Sequence, residues 1–517
     1  MVSINFGTKA FPIVIGCRMR LLTVFFAASI AAPCVLAQTP ATATSTQAAT
    51  QPGVSPDTRA AVGKLIGEVI VNGKAYDYDR HLADNIGPRL TGSDNYVHAV
   101  SWAVDQFKAL GLKNVHTEPF TMPSLWEPET PAIGNIIEPR NQPLHIYSAG
   151  WSPSTPAEGV TGKVIYISEI FPLDKLNEAK DKINGNIILM DDASFGEHPA
   201  IGDLVKAFAL LNTFTPKAVL LTGRANGTQN AGAISFNGVM ATFPAAQIGL
   251  EDELLIKRLL GEGPVTVHFS FKNRIRPETE VQNVVAEIPG REDPNSVVIV
   301  GAHLDSWHPA TGAQDNGTGV ATVLEVARAV QALGRPPRRT MRFILFGGEE
   351  QGLVGSNSYS KKHAADMSSI DAVVISDTGA QAAKGWYLMG RADEKQALTN
   401  IEPLLAGLGS DGTNPDTEFL FETDHAGFDV AGVPTLVLWN GVDKYFKLHH
   451  QASDSFDSVV QSDLTQGVAT TAATAYAIAD AAQPFAHHDT PAEVEDMLKN
   501  VNEYDNYKAL KTAGFVP

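Results

Sequence analysis

The chain has 517 residues, 44% of them hydrophobic, enough to bury the cores of two domains without disulfide staples. Its formal net charge of −18 argues against nucleic acid or an anionic membrane surface as a partner. The two cysteines, Cys17 and Cys34, both fall in the first 37 residues, which leaves no thiol nucleophile and no cysteine metal site for the rest.

Lys9, Arg18 and Arg20 precede an apolar run over 21–32, and Val35-Leu36-Ala37-Gln38 offers a small-residue cleavage point. That is the pattern of a secretory signal peptide over 1–37, too short for a comfortable membrane span; an anchor that stays in place is the alternative. Pro33 ahead of Cys34 speaks against a lipoprotein, and translation from Met19 would give a more ordinary signal length. A periplasmic or secreted protein follows, with no stable membrane span once the segment is gone. Cleavage removes three cations and no acid, so the mature chain is more acidic still.

Residues 38–57 are Ala, Thr, Gln, Ser and Pro in the main and read as a disordered linker. Order is expected from about Thr58, where Ala61, Leu65, Ile66, Val69 and Ile70 suggest a helix, and a first part of the main domain would span 58–141. Arg89 and Ser93 stand ahead of a second helical run through Trp102, Phe107, Leu110 and Leu112, and both read as structural residues. Over 142–273 the pattern changes to short alternating strands, 162–166, 185–191 and 217–222, then 243–249 and a helix through Leu254, Leu255 and Leu260. This is a β-rich insert, and none of its histidines or carboxylates forms a ligand constellation.

The main domain resumes over 274–483 with three apolar runs, 297–302, 341–346 and 372–376. They end in His303-Leu304-Asp305, in Gly347-Gly348-Glu349-Glu350 and at Asp377, with Asp315 between the first two. Unbroken apolar runs read as strands buried on both faces, so the polar residues at their carboxyl ends gather on one rim of a parallel sheet. Open α/β sheets place their ligands there. Val320, Val323, Leu324, Val326, Ala327 and Val330 have the spacing of a covering helix. The fold class is α/β, a mostly parallel central sheet covered by helices, with the β-rich insert. The tail over 484–517 reads as a short terminal helix lying on the body.

A two-metal site needs one more ligand, and 448–454 offers His449 and His450. His303, Asp315, Glu350, Asp377 and His450 are two imidazoles and three carboxylates, a set that suits zinc, with cobalt or manganese as substitutes. If Asp315 bridges, each metal receives three protein ligands. Singly, each residue has a plainer reading: a hydrogen-bonded histidine at a strand end, a solvated helix start for the Glu-Glu pair, a turn or cap at Asp377. Their conjunction favours the site. His308, His425, His487 and His488 have no such support and read as surface, loop or supporting residues.

The order His-x-Asp, Asp, Glu-Glu, Asp, His, with the phrases His303-Leu304-Asp305-Ser306-Trp307 and Glu349-Glu350-Gln351-Gly352, resembles the co-catalytic di-zinc exopeptidases. That family includes bacterial leucyl aminopeptidases and plasma glutamate carboxypeptidase, and Trp307 with the run from Tyr445 to His450 is similar to segments of the latter. The resemblance implies the zinc-exopeptidase fold and makes 142–273 a protease-associated domain. It implies one zinc on His303, Asp315 and Asp377 and a second on Asp315, Glu350 and His450. His450 is preferred to His449 because the family histidine stands four residues before an aspartate, as His450 does before Asp454. Glu349 would be the general base, and Asp305 would fix the His303 tautomer. Where the family often has a second aspartate after the bridging one, joined to it by a cis peptide, this chain has Asn316.

The implied activity is metal-activated hydrolysis of short peptides, dipeptides above all, by a secreted exopeptidase. Aminopeptidase and carboxypeptidase readings stay open, as do side-chain preference, the native metal and a homodimer. The rival readings are a non-catalytic, receptor-like binding protein of the same fold and a glutaminyl cyclase working with one zinc. Tyr445 reads as packing, with an oxyanion donor as the alternative; Asp424-His425 falls where the family has a phrase near the substrate pocket.

Overall fold

A computed structural model describes residues 54–517 except 196–198, 224, 226, 229 and 418. The expected signal peptide, both cysteines and the linker as far as residue 53 lie outside the described residues. Helix α1, Pro56–Asn72, starts two residues ahead of Thr58, because Ser55 caps it: its Oγ accepts the Thr58 N–H at 3.1 Å and Pro56 stands in the first turn. Helix α2, Asp94–Ala109, is capped in the same way by Ser93, which accepts from Tyr96 N.

The central sheet has eight strands: β1 Lys113–Met122, β2 Thr279–Ile288, β3 Asp293–His303, β4 Arg339–Phe346, β5 Ile370–Ile375, β6 Ala383–Tyr387, β7 Gly412–Asn414 and β8 Thr435–Asn440. Their spatial order is β1-β2-β4-β3-β5-β8-β6-β7. The middle four, β4, β3, β5 and β8, run parallel; β2 and β6 pair antiparallel at either side. Val298, Val300, Ala302, Phe343, Leu345 and Val374 pack into one hydrophobic cluster with helices α3, Thr318–Leu333, and α4, Gln461–Asp480. Their neighbours Val297, Ile299, Ile344, Phe346, Val373 and Ile375 pack into a second cluster with Tyr359 and Phe428 on the other face. Both faces are dry, which is why these runs show no polar alternation. Among the described residues, no helix is long and apolar enough to cross a membrane.

A second eight-stranded sheet is built from the chain between β1 and β2. Its first and last strands in chain order, Leu125–Glu138 and Thr266–Arg276, pair antiparallel with each other, so this sheet begins before residue 142 and ends past 273. The 125–138 strand therefore pairs outside the main domain to which its sequence position assigns it. Val160–Tyr166, Ile187–Met190, Ala218–Thr222 and Ala245–Ile248 pair in parallel rather than as the half-exposed strands expected from their pattern. The last three are buried at every position, because helix Ile201–Leu211, between the first two, and helix Leu250–Glu262, after the third, cover the sheet. The tail forms two helices, Pro491–Asn500 and Tyr504–Ala513, not one; Leu498, Leu510, Phe515 and Val516 anchor them by burial.

Candidate metal centre

His303 is the last residue of β3, and its ring is 1% exposed. The ring's Nδ1 lies 3.0 Å from the backbone oxygen of Asp305, a contact that directs Nε2 the other way. Nε2 stands 3.2 Å from Oδ1 of Asp315 and 3.2 Å from Oδ1 of Asp377, and 3.9 Å from Oε2 of Glu349. Parallel register puts His303 beside Phe346 and Gly301 beside Ile375, so the residues just beyond β3, β4 and β5 meet on one rim. Asp305 joins two of these loops: its Oδ2 accepts from Thr91 Oγ1 at 2.6 Å and its Oδ1 accepts from Glu349 N at 3.4 Å.

Asp315 sits just ahead of α3 with a non-helical backbone, and the Asp315–Asn316 peptide is cis. Asn316 does what an aspartate there could do only in part: its Oδ1 accepts from Gly319 N at 2.9 Å, and its Nδ2 donates to Ser376 O at 2.9 Å. The loop is held by two residues that chain order alone does not connect with it. Asp454 accepts from Gln314 N at 2.8 Å and from Asp315 N at 3.0 Å, and burial lifts its carboxyl to about 7. Fully buried Arg89 donates to the carbonyls of Leu304, Thr311 and Gly312 at 2.8–2.9 Å and to that of Gly87 at 3.3 Å. With every one of these bonds going to backbone, the structural reading of Arg89 holds.

The remaining donors approach from the 445–454 segment. His450 Nε2 lies 2.9 Å from Glu350 Oε2 and 3.6 Å from Asp315 Oδ2. His449 stacks on the His450 ring at 3.8 Å and comes within 3.8 Å of Asp315 Oδ2, so both histidines reach the centre. Two triads of ligand atoms close enough for one ion each meet at Asp315: His303, Asp315 and Asp377, and Asp315, His449 and His450. Glu350 joins the second through His450. A third such group, His487, Asp489 and Glu493, is at the surface, where Glu493 closes the capping box of helix Pro491–Asn500. Tyr445 is buried, with its ring 5.0 Å from that of His449. His425 is buried as well, and burial lowers its pKa to about 3, so it is neutral.

The charges at this rim are mostly of one sign. Burial, then the neighbouring carboxylates, raises Glu349 and Glu350 well above the usual carboxylate range and raises Asp377 too. Burial opposes protonation of His303, yet Asp377 and Glu349 outweigh it and hold its pKa well above the ordinary value. Neither side-chain oxygen of Glu350 has a hydrogen bond of good geometry. Clustered buried carboxylates with imidazoles among them fit divalent cations bound by nitrogen and oxygen.

The profile of Peptidase family M28 matches residues 283–476, a span that runs from β2 to α4 and includes His303, Asp315, Glu349, Glu350, Asp377, His449 and His450. Carboxypeptidase Q of Xenopus laevis is 30% identical over 409 residues, 76% of this chain and 84% of that protein. The crystal structure of a peptidase M28 precursor from Shewanella amazonensis SB2B superposes with a TM-score of 0.75 at 27% identity, covering 84% of this chain and 99% of that one. A zinc aminopeptidase from Bacillus subtilis shares the fold, with a TM-score of 0.60 at 21% identity over 80% of this chain and 97% of that one.

Proposed function

Because the chain belongs to peptidase family M28, a family of metallo-exopeptidases, we propose that it hydrolyses dipeptides and other short peptides with two zinc ions. In this reading His303, Asp315 and Asp377 hold one ion and Asp315, Glu350 and His450 the other, with Glu349 as general base. The observation that supports it best is the convergence of these side chains: His303 Nε2 at 3.2 Å from both aspartates, and His450 Nε2 at 2.9 Å from Glu350.

Bound zinc lowers the pKa of a water molecule toward ~7 and polarises the scissile carbonyl. The protein's own part is proton handling and placement. Glu349 stands 3.9 Å from His303 Nε2, beside the ligands, where its carboxylate can take the proton of the attacking water and return it to the leaving amine. Asp305 holds the His303 ring by Nδ1 and the backbone N–H of Glu349 by its carboxylate, so one residue orients a ligand and the base. Tyr445, whose ring lies 5.0 Å from that of His449, is the candidate oxyanion donor.

Likeness to carboxypeptidase Q supports dipeptides as the substrate class, for which aminopeptidase and carboxypeptidase cut the same bond. The sheet over 125–276 is read as a protease-associated domain. The amino-terminal pattern supports export, with the mature protein acting in the periplasm or the medium. The test is dipeptide hydrolysis by the mature protein, metal-free and zinc-loaded, beside Glu349→Gln, on free, amino-blocked and carboxyl-amidated peptides. Zinc-dependent turnover lost in Glu349→Gln is expected, and the block that stops cleavage assigns the exopeptidase type. Two bound zinc ions without turnover on a broad peptide panel would sink the reading in favour of a binding module or a cyclase.

A further inference from the structure

His450 differs from the other candidate ligands in what holds it. His303 and Asp377 extend from parallel strands and Asp315 stands just ahead of helix α3, whereas His450 lies in an irregular segment and has a left-handed backbone, φ 54°. A non-glycine residue keeps that conformation only where its surroundings enforce it. Here the surroundings belong to the second sheet. Between its strands Ala218–Thr222 and Ala245–Ile248 the insert carries Thr228, Asn230 and Ala231, which contact the segment of His450. Ala231 N donates to the His450 carbonyl at 2.8 Å, and Asn230 forms an antiparallel bridge with Gln451, whose side-chain amide also donates to Asn230 Oδ1. Ser453 N donates to Thr228 Oγ1 at 3.1 Å.

The same loop then reaches the other side of the centre. Asn237 N donates to the carbonyl of Gln351 at 2.6 Å, one residue beyond Glu350. The loop is rooted in the insert at Gly150, which donates to Gly232 O at 2.8 Å and accepts from Ile234 N at 3.0 Å. It is rooted in the tail where Asn237 Nδ2 donates to Ala513 O at 2.7 Å. Trp151 of the insert meets Trp307 edge to face at 6.2 Å, and Trp307 meets the His450 ring in the same way at 6.2 Å. Two segments separated by about a hundred residues, 349–352 and 450–453, are therefore tied to the insert through Thr228, Asn230, Ala231 and Asn237.

We propose that the insert residues Thr228, Asn230, Ala231 and Asn237 form a positioning strap that sets the separation of His450 and Glu350 and so completes the second metal position. This rests on the two-zinc reading above. The insert then acts as part of the catalytic centre's frame, and its loop residues are positioning residues: they hold backbone and touch neither metal nor substrate.

The test compares full-length mature protein with Thr228→Val/Asn230→Ala and with Thr228→Ser. In the metal-free proteins, hydrogen exchange of peptides over 446–454 is expected to quicken in the double variant, with exchange in β3 and β4 unchanged. Zinc titration should show the second equivalent bound ~10–100-fold more weakly and the first unaltered, the range seen when residues supporting a metal ligand are removed. Dipeptide kcat should fall with KM little changed, and Thr228→Ser, which keeps the hydroxyl, should behave as wild type. Unchanged exchange over 446–454, or faster exchange with unaltered binding of the second zinc, would overturn the strap. Wild-type protein that takes up fewer than two zinc ions would instead overturn the two-zinc reading, and it is recognised before any variant is compared.

Discussion

His450 Nε2 stands 2.9 Å from Oε2 of Glu350, while the stacked ring of His449 reaches Asp315 only at 3.8 Å. Two adjacent histidines at one centre are thus unequal, and the difference lies in the backbone. The left-handed turn at His450 directs its ring toward the Glu350 loop, and Tyr445 and Phe446 flank His449.

His450→Ala should remove the second zinc equivalent and lower kcat by at least ~100-fold, on the scale of losing a metal-centred contribution. His449→Ala should keep both equivalents and cost less than ~10-fold. Zinc titration of the two variants checks this; the reverse order would make His449 the ligand.

Glu349→Gln keeps the size of the side chain and its place beside His303 but cannot accept a proton. We expect kcat to fall by ~10²–10⁴-fold, the range for loss of general-base catalysis, with zinc content and KM close to wild type. Steady-state kinetics with metal analysis decide it.

Arg89→Met would leave the carbonyls of Gly87, Leu304 and Thr311 without the buried guanidinium that serves them, and that of Gly312 with the Gly317 N–H alone. The expected loss is at least ~3 kcal/mol, since each buried acceptor left unpaired costs ~1–3 kcal/mol. Denaturant unfolding of the metal-free proteins measures it, and a loss under ~1 kcal/mol would contradict the account of this residue.

Glu118 on β1 lies away from the metal centre and offers a pH test. Burial alone would raise its pKa, but Lys362 at 2.8 Å, His363 at 3.0 Å and His116 at 3.2 Å bring it down to about 2 from 4.5. A carboxylate with a depressed folded-state pKa stabilises above its unfolded value, and that contribution fades as pH falls through the folded one. The stability difference between wild type and Glu118→Gln should therefore be largest above about pH 5 and shrink toward about pH 2. A difference that stays constant over this window in chemical denaturation would exclude the assignment.

Much of the central sheet was legible because burial on both faces writes itself into consecutive residues: 297–302, 341–346 and 372–376 have no polar alternation, and they became β3, β4 and β5. The donors at their ends were legible for the same reason, since parallel register brings strand ends to a common rim. The insert was harder. Its parallel pairing resembled antiparallel strands in short runs of four or five residues, too few to show a period. The strand Leu125–Glu138 carried no mark of which sheet it would join.

What the sequence determined by itself was the inventory and its local geometry: which side chains can bind a cation and which residues end strands. These depend on neighbours a few positions away. The tertiary structure decided the rest: that Arg89 holds the loops of His303 and Asp315, that Asp454 holds the backbone of Asp315, and that Ala231 and Asn230 of the insert hold His450. Each of these is a backbone hydrogen bond across a long stretch of chain. A carbonyl or an amide N–H is present at nearly every residue, so nothing in residue identity says which ones will meet.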